Sequence, residues 1–170
     1  MTVEPLPIDP FLFRQALGRF ATGIAVATTL DAADSPVGIT VNSLSSVSLT
    51  PPLILFCIDR TAAAYPAFAA AGGFAINILA ADQQALSVQF SLPHDAEIVP
   101  DRWEATSWRQ WTTGAPILDG CVAVLECRRY AAYDGGDHII LVGEVMQASK
   151  APEEEAPLLY FQGGYRDLAI

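Results

Sequence analysis

The sequence predicts a mainly β protein, a small closed barrel with a few short helices at its rim. Three observations point there. Apolar, β-branched runs of strand length recur six times or more, and turn-rich pieces separate them. Only a few helical patterns interrupt these runs, all of them short. The 170 residues carry no internal repeat and no linker, which gives one domain over 1–170.

The elements follow in order. Asp9-Pro10 is a cap followed by a first-turn proline, and Phe13, Ala16, Leu17 and Phe20 then fall on one helical face before Gly23 stops the helix. Ile24 to Leu30, Val37 to Val41 and Leu53 to Ile58 read as strands separated by Asp31 to Pro36 and Leu49 to Pro52. Alanine-rich Thr61 to Ala71 reads as a helix ended by Gly72-Gly73, and Phe74 to Leu79 as a strand. Asp82 to Phe90 reads as a helix capped by Asp82, with Leu86 and Phe90 on one face. Ser91 to Gly120 is irregular, with Trp103, Trp108 and Trp111 expected to cap the core or an interface. Cys121 to Tyr133 and His138 to Ser149 are long strands joined by Asp134-Gly135-Gly136-Asp137, a hairpin signal. An acidic loop with Glu153, Glu154 and Glu155 precedes a short strand, Leu158 to Phe161.

Charged residues are 16% of the chain, against a usual share of about 25%. A monomer of this mass would expose roughly 8,100 Å², or about one charge per 290 Å². That is thin cover, so an oligomer hiding an apolar face is expected. The net charge of −10 argues against a nucleic-acid partner, which needs a basic face to displace counterions. Ser35 to Ile58 and Thr61 to Ala81 carry no charge, but their prolines, glycines and hydroxyls prevent an unbroken apolar helix, so no membrane span is expected. Met1 to Asp9 shows no basic region before an apolar core. Three cysteines without CxxC spacing suit a cytoplasmic protein with reduced, buried thiols.

Metal catalysis is not expected, because His94, His138 and the scattered cysteines make no ligand set. Nor is there a GxSxG elbow, a GxGxxG turn or a P-loop. The unusual stretch is Gly38 to Pro52, where Thr40, Asn42, Ser43, Ser45, Ser46, Ser48 and Thr50 sit between strongly apolar strands. Such groups beside a core can hold a polar, uncharged ligand such as a ribityl chain or the amide edge of a flat heterocycle. A serine-rich turn that satisfies its own backbone is the alternative. Arg60 could pair with a phosphate or form a surface salt bridge. His138, opening a strand after a glycine turn, is either a site residue or a strand-end histidine bonded to a carbonyl.

The chain resembles the flavin reductase family of the flavin-binding split-barrel fold. The resemblance runs from about Phe13 to Leu168 and rests on an ordered series: FRQALGRFATGIAVATT, GITVNSLSSVSLTPPLILFCIDR, FAINIL with DQQALSVQFS, TGAPILDG, LEC, GDHIILVGEV and PLLYFQGGYRDL. It implies FMN or FAD bound between the subunits of a homodimer and reduced by NADH or NADPH. Reduced flavin would then pass to a separate monooxygenase. By the same resemblance Thr40, Val41, Asn42, Ser43, Ser46, Val47 and Ser48 line the flavin, and Asn77, Ile78 and Leu79 form a second flavin segment. Cys57, Ile58, Arg60 and Thr61 lie near the phosphate, His138 lies near the nicotinamide, and Tyr165 is a tail aromatic near the same pocket. The chain departs from the family after Arg60, where Thr-Ala-Ala-Ala replaces a serine cluster and leaves Thr61 as the main hydroxyl. A non-catalytic flavin carrier on the same barrel is the competing expectation.

Overall fold

The structure, a computed structural model, describes residues 8–92, 102–152 and 154–168. Residues 1–7, His94 and Glu153 lie outside them. The chain opens with helix α1 (Pro10–Leu17), whose first turn is capped by the Asp9 carboxylate accepting from the Phe11 N–H at 3.0 Å. The helix ends at Gly18 rather than Gly23. Strands β1 (Thr22–Gly23), β2 (Ala25–Leu30), β3 (Pro36–Val41), β4 (Ser45–Leu49) and β5 (Pro52–Asp59) follow. The alanine-rich helix is shorter than expected, α2 (Tyr65–Ala70), with Pro66 in its first turn. After β6 (Gly73–Ile78), one turn of 3-10 helix precedes α3 (Gln84–Ser91). Gln83, not Asp82, caps this segment, its side-chain oxygen accepting from the Ala80 N–H at 3.0 Å.

The stretch read as irregular contains a small hairpin, β7 (Trp108–Gln110) with β8 (Pro116–Leu118). Strands β9 (Ala123–Gly135) and β10 (His138–Lys150) form the long hairpin expected from the sequence. Its loop is two residues, Gly136 and Asp137, and Gly136 takes φ +79°, a conformation that favours glycine. The chain closes with β11 (Leu159–Phe161) and β12 (Gly164–Arg166), which pair with β1 in a separate sheet.

The main sheet runs β3-β2-β6-β9-β10-β5-β4, antiparallel throughout. Its ends curl together, because the Ser43 hydroxyl just past β3 bonds the Cys57 backbone of β5 at 2.9 and 3.3 Å. Phe56, Phe68 and Phe74 fill the interior edge to face, with centroids 5.8 and 5.0 Å apart. A second cluster of Ile24, Val26, Leu79, Phe90, Leu118 and Leu158 seats α3 on the barrel wall, and Trp103 and Trp108 pack against it. No helix among the described residues is long and apolar enough to cross a membrane.

Cys121 and Cys127 are held by burial well above the usual thiol range, each pushed up to about 12, and the Glu126 charge adds to the shift at Cys127. At pH 8 both stay protonated and poorly nucleophilic. Native protein is therefore expected to lose no more than one thiol to iodoacetamide, and all three after unfolding. Because the folded thiols titrate above the unfolded value near 9.0, their contribution to stability is full below pH 9 and is lost towards pH 12. A denaturation midpoint that fails to fall over that window would contradict this burial.

Candidate functional site

Two hollows share one wall, the end of β3. The first, about 220 Å³, is lined by Ile39 to Ser43, by Cys57, Ile58 and Asp59 of β5, and by His138 of β10. Antiparallel pairing of β5 with β10 sets Asp59 opposite His138, which carries the histidine to this rim. The imidazole Nδ1 lies 2.7 Å from the Asp137 carboxylate. The Asp59 carboxylate accepts from the Thr61 hydroxyl and N–H, both at 2.7 Å, and these bonds hold it below the usual carboxylate range, with His138 a smaller cause. Burial raises the Cys57 thiol, with the Ser43 bond opposing.

The second hollow, about 250 Å³, is lined by Ile24, Thr40, Val41, Asn42, Ser87, Ser91, Tyr160 and Tyr165. Here the Tyr165 and Ser87 hydroxyls lie 3.0 Å apart, and the Thr40 hydroxyl donates to the Ser87 carbonyl at 2.6 Å. Tyr160 meets Tyr165 edge to face at 5.6 Å. His138 and Tyr165 therefore line different hollows, with Thr40 to Asn42 as the common wall.

The structure thus gathers Thr40, Val41, Asn42, Ser43, Cys57, Ile58 and His138 into one rim. The other expected residues lie elsewhere. Ser46, Val47 and Ser48 are on the edge strand β4, bulged between Ser46 and Ser48, and line neither hollow. Asn77 is fully buried, its amide donating to the Val26 carbonyl and the Thr28 hydroxyl while its oxygen accepts from the Leu118 N–H. That side chain joins β2, β6 and β8, with both amide N–H groups spent on the barrel wall. Ile78 packs on the interior cluster and Leu79 is fully buried in the second one. Thr61 borders a third hollow of about 550 Å³, with Ala62 to Ala64, Phe90 and Trp103. Arg60 is bonded to the protein through three of its nitrogens.

Asp59 lies within the Cys57 to Thr61 segment expected near the phosphate, whereas Ser87 and Tyr160 at the second rim, and Asp137 behind His138, were not singled out as site residues. Asp137 had a legible signal, a carboxylate immediately before His138 in the turn. Sequence reasoning also missed Glu126, a fully buried carboxylate that accepts from the Thr112 N–H at 3.2 Å and from the Thr113 N–H and hydroxyl at 2.7 and 2.8 Å.

The structure is an antiparallel barrel closed at β3 and β5 with a polar wall beside the seam, and flavin reductases of known structure share this split-barrel fold. The chain belongs to the flavin reductase like domain family, whose model matches residues 17–169. It is similar to the reductase subunit HsaB of a flavin-dependent monooxygenase from Mycobacterium tuberculosis, 38% identical over 93% of this chain and 82% of that one. It is also similar to FMN reductase (NADH) SmoA of Agrobacterium fabrum, 42% identical over 89% of this chain and 82% of that one. Among solved structures, the Streptomyces globisporus NADH:FAD oxidoreductase SgcE6 in complex with NAD and FAD fragments superposes with a TM-score of 0.85. Its identity is 34%, over 97% of this chain and 98% of that one.

Proposed function

We infer that the chain is an NAD(P)H-dependent flavin reductase that supplies reduced flavin to a separate monooxygenase. The observation that carries the reading is the shared rim of Thr40 to Ser43, Cys57 and His138 in a chain of this family. When bound, nicotinamide and flavin supply the hydride transfer themselves, from C4 of one to N5 of the other. The residues present fit a flavin. Among the described residues the N–H groups of Asn42 and Ser43 make no backbone hydrogen bond, and the Asn42 amide makes none at all. These are the donors that the pyrimidine edge of a flavin requires, and they act without a formal positive charge. Ser43 serves the seam through its hydroxyl and the ligand through its N–H. His138, held through Nδ1 and lining the same hollow, would orient the nicotinamide against the flavin.

The test is oxidation of NADH and of NADPH followed at 340 nm with catalytic FMN or FAD in air. Oxidation with at least one pair is expected; flavin binding without any oxidation would make the chain a carrier. Asn42→Trp should raise the flavin Kd about tenfold or more by filling the wall between the hollows. An unaltered flavin titration would remove Asn42 from the site.

The working unit is a homodimer. Helix α1 buries no residue, and Phe11, Leu12, Leu17 and Phe20 are 67%, 57%, 58% and 75% exposed. An apolar face of that size on a soluble chain needs a cover, and a second copy provides it. Light scattering at micromolar concentration should return twice the chain mass; a monomer there would contradict the assembly.

A further inference from the structure

Arg60 leaves β5 and reaches across to the β9–β10 turn. Its backbone N–H donates to the Asp137 carbonyl at 3.0 Å, and its Nε donates to the Gly136 carbonyl at 3.2 Å. Its Nη2 meets the Asp134 carboxylate at 2.7 Å. On the far side Nη1 donates to the Tyr65 hydroxyl at 3.1 Å, and the guanidinium carbon sits 5.9 Å from the Tyr65 ring centroid. One side chain thus ties the exit of β5, the hairpin turn and the start of α2. Beyond the β9–β10 pairing that closes it, the turn is open on one side, where a Cβ built on Gly136 would meet nothing within 4 Å. The side chain holds Gly136 and Asp134 on either side of the hairpin end, and the residue next to Gly136 is Asp137, whose carboxylate holds the His138 ring.

We propose that Arg60 is a positioning residue for His138: it clamps the Gly136-Asp137 turn against β5 and so fixes the imidazole at the rim. The proposal rests on the reading that His138 faces the nicotinamide. A phosphate anchor would turn its guanidinium fork to the ligand, whereas here all three guanidinium nitrogens bond the protein itself, at a carbonyl, a phenol and a carboxylate, which leaves one N–H each on Nη1 and Nη2. Nor does the clamp serve overall stability, because the Arg60 and Asp134 side chains are 38% and 81% exposed and such surface pairs contribute about 1 kcal/mol or less. What it contributes is geometry, and hydride transfer is sensitive to geometry, since reacting atoms must stand about 3 to 3.5 Å apart.

The test is Arg60→Met, with Asp134→Asn as a milder second variant that removes the partner carboxylate from the solvent side. In Arg60→Met, amide hydrogen exchange at Gly136 to Ile139 should quicken about tenfold while the middle of β9 and β10 keeps its protection. The kcat/KM for NADH should fall about tenfold, and adding His138→Ala should lower it less than the single histidine change does in the wild type. The Kd values of FMN and of phosphate-free riboflavin, read by fluorescence quenching, should each stay within about twofold of wild type. Loss of FMN affinity with riboflavin affinity kept would make Arg60 a phosphate anchor and overturn the proposal. Unchanged exchange at the turn in both variants would overturn it as well. A wild-type chain that oxidises no nicotinamide would instead defeat the functional reading, leaving the clamp to be judged by exchange and flavin binding alone.

Discussion

Gly143→Val is expected to lower stability by about 3 kcal/mol, the upper part of the range for an overpacked core. Gly143 is buried in β10 at a register shift of the β9–β10 ladder. A Cβ placed there would stand 2.4 Å from Cζ of Phe74 and 2.8 Å from Cβ of Cys127. Neither neighbour can yield easily. Phe74 is 2% exposed and wedged against Phe56, and Cys127 is fully buried on the paired strand. Thermal unfolding should move down by roughly 6 to 12 °C for a chain of this size. Phe74→Leu in the valine background should recover part of the loss, because it removes the ring atoms that clash. A valine variant that melts with the wild type would mean that the barrel wall is looser than this packing requires.

The barrel was legible because its strands follow the period-2 and continuous apolar patterns that burial on one or two faces imposes. The hairpin was legible because glycine accepts the positive φ of a two-residue turn. β4 was not, since Ser45, Ser46 and Ser48 carry little strand preference and the strand pairs on one side only. β7, β8 and β12 are three residues each, too short for any periodicity to show. For α1 the period was right, but the apolar face points away from the chain's own core. A helical pattern says that a face must be covered and is silent about what covers it.

The site divides along the same line. Thr40, Asn42, Ser43 and His138 were legible as polar residues at strand ends, and the fold brings them to one rim. Asn77 looked equally polar in an equally apolar strand, yet the ladder places it mid-sheet, where its amide bonds three other backbone or side-chain groups. Arg60 invited a phosphate because lone cations near such a loop suggest one. Only the pairing of β5 with β10 brings the turn within its reach. Polar residues at a mouth and polar residues that stitch a wall are alike in sequence, and register separates them.

His138→Ala should reduce kcat/KM for NADH by about 30- to 100-fold, a loss of roughly 2 to 2.7 kcal/mol of transition-state stabilisation. The flavin Kd should stay within about twofold of wild type. The split follows from placement. The donors proposed to meet the flavin lie just past the end of β3, whereas the imidazole stands on strand β10, bonded to the Asp137 carboxylate. Removing it takes away one orienting contact and opens one side of the rim to water, while the N–H groups of Asn42 and Ser43 are untouched. Hydride transfer needs no base, so the loss should be one of alignment rather than of proton transfer, and His138→Gln, which restores a polar group of similar reach, should regain part of it. With deuterated NADH the isotope effect on kcat/KM should rise as transfer becomes slower than nicotinamide release. A variant with the wild-type steady-state profile would return His138 to a strand-end residue whose bond to Asp137 only closes the turn. A variant that loses flavin instead would place the imidazole on the other ring.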